Sequence, residues 1–245
     1  MARARLRARR SLFAMPMIVG SGLIATAFAR HAAAHERVCF YAAGVSNSSC
    51  CDPREFERDR LRLQQHLAGV AAEVLFVYFS TCSIEDPWSK ADAYAQHKLA
   101  LEGLVRQRGN YLVFRLPQVA GRTPNPHTIL NYLHARITRS ERFVVWRQAA
   151  RNIIDARDVV RIAMDLIDNE GARNETINIA NPRNSSLPEI VAALESTTGH
   201  RAIYDVVDRG GEYMIDTSRI AASIRRCGVA FDDAYLSKTL AKYYD

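Results

Sequence analysis

The sequence predicts an α/β fold built on a parallel sheet with helices on both faces, and three observations lead there. Short apolar runs of strand type alternate with longer amphipathic stretches from residue 15 to about residue 121. The first run, MIVGSGLIA, carries Gly20-x-Gly22-x-x-Ala25, a turn suited to holding phosphate at a helix N-terminus. No internal repeat or long linker divides the 245 residues, so one compact unit with a smaller lobe is expected.

Each element has its own signal. After the glycine turn, Ile24, Ala27 and Phe28 recur at helical spacing. RVCFYAAGVSNSS then reads as a buried strand running into a polar loop, and DPREFERDRLRLQQHLAGV as a helix opened by Asp52 and Pro53. EVLFVYFSTCS is apolar enough to be covered on both faces. DAYAQHKLALEGLVRQRG predicts a helix closed at Gly109, and YLVFRLPQVAG one further buried strand. Beyond Gly121 the texture changes to a Pro-punctuated loop and helix, the short strand FVVW, and a helix capped by Asp155 or Asp158. ETINIA is a strand, Ser186 and Glu189 form a capping box, and two short amphipathic helices end the chain. The division expected is a disordered basic arm over 1–14, a dinucleotide-binding region over 15–121, and a mainly substrate-binding lobe over 122–245 that returns elements to the sheet.

Charge excludes less than it first suggests. The net charge is +7, but five arginines crowd the first ten residues, and the remainder is nearly neutral, so no nucleic-acid partner is inferred. Arg9-Arg10 and the apolar run behind them also resemble an export signal. That reading would remove the first strand and the glycine turn, so the fold reading is preferred and the protein is placed in the cytoplasm. The apolar run is broken by Arg30 and His31 before it reaches membrane-spanning length. The five cysteines have no CxxC spacing and no histidine at zinc spacing, and are read as free thiols with no metal site. The sequons at Asn47, Asn174 and Asn184 are read as chance matches.

The chemistry-bearing stretch is FSTCSIEDPWSKADAYAQHK. A strand ends at Ser80-Thr81, and thirteen residues after Thr81 comes Tyr94-x-x-x-Lys98 on a helix. That spacing puts the phenol and the ammonium on one face. A lysine beside a tyrosine is expected to lower the phenol's pKa toward the working range of an acid/base catalyst. The Thr81 hydroxyl would hold a substrate oxygen while Tyr94 moves the proton. His97 is read as a surface residue, and Glu85 and Asp86 as a solvated turn.

With these segments in order, the chain resembles an extended short-chain dehydrogenase/reductase of the NAD-dependent epimerase/dehydratase family, whose fold is Rossmann-like. IVGSGLIA resembles the family's glycine loop, FYAAGVSNS its alanine-pair strand, YFSTCSIED its catalytic-hydroxyl strand, and FRLPQVAGR and ARNIIDARDVVRIAMDLI two later elements. The resemblance implies NAD or NADP as cofactor, with Thr81, Tyr94 and Lys98 catalytic. It implies Gly20, Gly22, Leu23, Ile24, Ala42, Ala43, Gly44, Ser80 and Pro117 at the cofactor, and Cys82, Gln118, Arg122 and Arg151 at a nucleotide-sugar substrate. It also implies pairing into a homodimer through helices.

Three departures shape the expectation. Between the glycine-turn helix and VCFYAAGV there is no room for the family's second and third strands, so the sheet should be shortened by two. The acidic residue that would hold the adenosine ribose falls near Tyr41 and Ala42, so NAD and NADP are not distinguished. Cys82-Ser83 replaces the dehydratases' Asp-Glu pair, which favours reduction of a keto-sugar nucleotide, then epimerisation, over dehydration. The rival from another class is a non-catalytic dinucleotide-sensing or interaction protein on the same fold.

Overall fold

The computed structural model describes residues 17–245. The arm expected over 1–14, and Met15 at the start of the first apolar run, lie outside that range. The main sheet has five parallel strands in the order β1 (Ile18–Val19), β2 (Val38–Tyr41), β3 (Leu75–Thr81), β4 (Tyr111–Leu116) and β9 (Glu175–Asn178). Among the described residues nothing pairs with the outer edge of β1, as the missing second and third strands require.

Alternation along the strands sends side chains to two cores. Val38, Phe40, Leu75, Val77, Phe79, Leu112 and Phe114 face one way, where α1 (Leu23–Ala34) lays Phe28 and Ala32 beside α5 (Ala156–Asp168). Cys39, Tyr41, Phe76, Tyr78 and Val113 face the other way. There α2 (Pro53–Gly69) and α3 (Ala93–Arg106) supply Leu63, Leu101 and Val105. All seven residues of β3 are buried, which explains why its sequence reads as a continuous apolar run.

The steps β1 to β2, β2 to β3 and β3 to β4 all move in one direction across the sheet. Yet α1 packs on one face while α2 and α3 pack on the other. Two steps in the same direction with helices on opposite faces have opposite hands. The first crossover therefore departs from the hand of the two that follow, against a rule kept in roughly 98% of such units. Phe28 anchors it, with ring centroids 5.1 Å from Phe40 and 4.9 Å from Phe79. The consequence is functional, because the chain leaves β1 toward one face and β2 toward the other. A crevice opens between their carboxyl ends, as at a topological switch point.

Caps fix the helix starts. Asp52 accepts the Arg54 N–H at 2.9 Å with Pro53 in the first turn, and Asp155, not Asp158, caps α5. The Ser186–Glu189 capping box forms in full at the head of α6 (Leu187–Thr198). The expected single strand YLVFRLPQVAG is two strands. Pro117 carries no N–H and ends β4, and β5 (Gln118–Ala120) pairs instead with β8 (Ile153–Asp155).

β5 belongs to a third core, that of the second lobe, with Leu130, Leu133 and Ile137 of α4 (Ile129–Thr138), Leu187, Ile190, Val191 and Leu194 of α6, and Leu240 of α8 (Tyr235–Tyr244). Two more small sheets complete this lobe: β6 (Phe143–Trp146) with β11 (Tyr204–Val207), and β7 (Ala150–Arg151) with β10 (Ser185–Ser186). From the same half of the chain, α5, β9 and α7 (Ala221–Cys227) return to the main sheet. Among the described residues no helix is long and apolar enough to cross a membrane.

Candidate active site

The crevice is one cleft with two chambers. The smaller, about 270 Å³, lies above β1 and β2 and is bordered by Gly22, Leu23, Ile24, Ala42, Ala43, Gly44, Ser80, Tyr94 and Lys98. The larger, about 670 Å³, lies toward the second lobe and is bordered by Gln118, Arg151, Arg209, Trp88 and Trp146. Ser48, Thr81, Ser83, Pro117 and Gln118 border both, so the end of β3 and the break at Pro117 stand where the chambers meet.

The glycine turn is built for a close approach. Gly20 has φ +120°, and a Cβ there would lie 2.5 Å from the Ala42 carbonyl oxygen, so only glycine lets β1 turn beside the end of β2. Gly20 shapes the turn without bordering the chamber. Gly22 caps α1 with no side chain, and a Cβ on it would meet nothing within 4 Å. Open space thus faces the first-turn N–H groups of α1, the geometry a pyrophosphate needs. This cradle fits a dinucleotide's diphosphate. Among the described residues no carboxylate borders the smaller chamber; its polar lining is Ser46, Ser48, Thr123, Asn125, His127 and Thr128 with Ser80, Thr81, Ser83, Tyr94, Lys98 and Gln118.

Thr81, Tyr94 and Lys98 come together at the floor of the cleft. The Thr81 hydroxyl donates to Ser83 Oγ at 3.1 Å and accepts the Ser83 N–H at 3.2 Å. Lys98, buried on α3, donates to the Phe79 carbonyl at 3.2 Å, its Nζ 4.9 Å from the centre of the Tyr78 ring. Its pKa is lowered by burial, against which Asp59 and Glu102 act. The Tyr94 phenol is pushed up to about 12 by burial, with the Asp59 charge adding to the rise. This corrects the expectation of a lowered phenol. The ammonium turns to a backbone carbonyl, and burial decides the tyrosine's state, leaving a neutral phenol across the neutral pH range.

Among the expected substrate residues, Gln118 and Arg151 border the larger chamber, and among the described residues the one hydrogen bond of the Arg151 side chain is to the Ala150 carbonyl, at 2.8 Å. Cys82 and Arg122 do not. A 3-10 turn over Cys82–Ile84 breaks the strand's alternation and buries Cys82 with Ala180 and Ile215, where burial raises its thiol pKa. The same turn puts Ser83 at the cleft instead. Arg122 is exposed outside both chambers. Glu85 is not simply solvated, because it binds Arg115 and Asn178 and ties its turn to β4 and β9.

Sequence reasoning missed Trp88, Trp146, Arg209 and Tyr213, all at the larger chamber. The signal available was the tryptophan count, for the chain has two and both stand there.

Solved structures supply the comparison. A dTDP-glucose 4,6-dehydratase from Bacillus anthracis, in complex with NAD, aligns over 92% of this chain and 78% of its own with TM-score 0.66 and 13% identity. A UDP-glucuronic acid 4-epimerase from Bacillus cereus, with UDP-glucuronic acid and NAD, aligns over 85% of this chain and 74% of its own, with TM-score 0.68 and 18% identity. RMD from Pseudomonas aeruginosa, complexed with NADPH, aligns over 84% and 79%, with TM-score 0.63 and 18% identity. This chain shares their fold. No protein-family model and no curated protein sequence matches it.

Proposed function

We propose that the protein is an NAD(P)-dependent oxidoreductase that reduces a nucleotide-activated keto-sugar. The observation that carries this reading is the convergence of Thr81, Tyr94 and Lys98 with the glycine turn and Pro117 on one two-chambered cleft. A nicotinamide cofactor, when bound, supplies the hydride. Gly22, Leu23 and Ile24 would hold its diphosphate against the α1 N-terminus, with Ala42, Ala43, Gly44, Ser80 and Pro117 along its length.

The chain's own groups do the rest. Tyr94, neutral by virtue of burial, donates its proton to the substrate oxygen, and a phenol held protonated suits reduction, where a proton is delivered. Thr81 hydrogen-bonds that oxygen and Ser83 keeps the Thr81 hydroxyl in place. Lys98 supplies the nearby positive charge that favours the phenolate left after transfer. Arg151 and Gln118 would meet the diphosphate-sugar in the larger chamber. The reading carries with it a cytoplasmic setting, a role in surface-polysaccharide synthesis, and a homodimer. Leu61 on α2 and Leu99 on α3 are exposed and available to its helix face.

Titration of the purified protein with NADH and NADPH, followed by nicotinamide fluorescence, tests the cofactor. Micromolar binding with turnover of a keto-sugar nucleotide is the expected result. The absence of a carboxylate in the smaller chamber favours a second reading, a dinucleotide sensor, which predicts binding without turnover. A folded sample that binds neither nucleotide overturns both.

A further inference from the structure

Among the large apolar side chains of the described residues Trp88 is the most exposed, at 71%, and it borders the larger chamber. It is held from both sides of the cleft. On the sheet side, the turn that carries it lies between Thr81 and Tyr94 and is fixed by Asp86, which accepts the Trp88 N–H at 2.9 Å through Oδ1 and the Ser89 hydroxyl at 2.8 Å through Oδ2. The Ser89 hydroxyl also lies 3.5 Å from the Ser83 carbonyl oxygen, and Ser83 Oγ accepts from Thr81. One short turn thus ties Trp88 back to the Thr81 hydroxyl.

On the side of the second lobe, the indole rests on Gly211. A Cβ on that glycine would lie 2.6 Å from Cε2 and 2.9 Å from Cζ2 of Trp88, closer than non-bonded carbons pack, so only a residue without a side chain seats the ring there. The Gly211 carbonyl accepts the Ala150 N–H at 3.3 Å, and the Arg209 carbonyl accepts the Gln148 N–H at 3.1 Å. These bonds pin the seat beside β7, the strand that carries Arg151.

Trp88 therefore stands between two places that the reading above gives to the substrate, Thr81 and Tyr94 at the reacting carbon and Arg151 at the diphosphate. In a nucleotide-activated sugar, the group that joins those two places is the sugar ring. Such a ring has an apolar C–H face that an indole can cover, while its hydroxyls stay with water and polar groups.

We propose that Trp88, seated on Gly211, is a specificity-determining residue of the larger chamber, the platform on which the substrate's sugar ring lies with its reacting carbon toward Thr81. The proposal rests on the nucleotide-sugar reading of the cleft and names the part of the substrate that Trp88 meets.

Calorimetric titration of the full chain with UDP-glucose and UDP, dTDP-glucose and dTDP, and GDP-mannose and GDP finds the pair that the chamber takes. For that pair, Trp88→Ala should weaken the nucleotide-sugar by about tenfold or more and leave the bare nucleoside diphosphate within about twofold. Gly211→Ala, which lifts the indole from its seat, should act in the same direction. Equal losses for the two ligands would mean that Trp88 meets the base or only supports the fold, and no loss for either would mean that it meets neither ligand. Both results overturn the proposal.

If Trp88→Ala does not fold, fluorescence decides without removing the indole. With Trp146→Phe, Trp88 is the one tryptophan left in the chain. The nucleotide-sugar should move its emission to shorter wavelength and protect it from acrylamide, and the bare diphosphate should do neither. Unchanged emission with the nucleotide-sugar bound overturns the proposal alone. A folded chain that binds none of these compounds overturns the functional reading and the proposal together.

Discussion

At one end of the cleft, β1 contributes two residues, its turn depends on a glycine pressed against Ala42, and no carboxylate lines the chamber above it. At the other end, β3 contributes seven buried residues, α3 lies against it, and Thr81, Tyr94 and Lys98 face one floor. The end that carries Thr81, Tyr94 and Lys98 is thus built on the interior of the sheet, and the glycine-turn end on its edge. An interior strand is fixed by cores on both faces. The edge strand gives one residue to each face, Val19 to the core under α2 and α3 and Ile18 to the border of the core under α1, whose crossover has the opposite hand to its neighbours.

Four changes sharpen or break that contrast. Tyr94→Phe should have the largest effect, a fall in turnover of roughly 10²–10⁴-fold with little change in melting temperature. Retained turnover would remove the phenol from the mechanism. Phe28→Ala should cost about 3–5 kcal/mol in denaturant unfolding, against about 2–5 for Leu63→Ala on the opposite face. A cost under about 1 kcal/mol for Phe28 would mean that α1 is not packed on the sheet as described.

Gly20→Ala places a side chain at φ +120° and against the Ala42 carbonyl. The expected cost is about 1–3 kcal/mol, together with weaker dinucleotide binding. Equal affinity for NADH before and after the change would detach the turn from the cofactor.

The smallest effect is expected far from the cleft, at Asp165. Arg226, first, and Asn169 and Ser223 after it, hold the Asp165 carboxyl below the usual range. A native pKa below the unfolded one stabilises the fold above the unfolded value and is lost as pH falls. Asp165→Asn should therefore cost about 1 kcal/mol or less at pH 7, because the Arg226 partner is partly exposed and screened by water. The difference should shrink below about pH 4. A difference that stays constant to low pH would exclude the ion pair as its source.

The parts legible in the sequence were those governed by near neighbours. The Asp52, Asp155 and Ser186 caps act over two or three residues, and the continuous apolar run of β3 records its two covered faces. The Tyr94 and Lys98 spacing follows from one turn of helix. What went unread was decided by one-residue differences in direction. The 3-10 turn after Thr81 exchanges Cys82 for Ser83 at the cleft, and Pro117 hands the chain to another sheet. The inward face of α3 takes His97 because Asp59 waits there on a separate helix.

The sequence by itself determined an α/β unit with a glycine turn at its start, a Tyr-x-x-x-Lys helix behind a hydroxyl-ended strand, and too few residues between them for a full sheet. The tertiary structure alone decided that α1 crosses to the face opposite α2, so that a shortened sheet still opens a crevice. It alone also set Tyr94 neutral, with Lys98 turned to a carbonyl. Hand and charge state depend on which distant groups share a face and how much water reaches them, and local spacing does not carry that information.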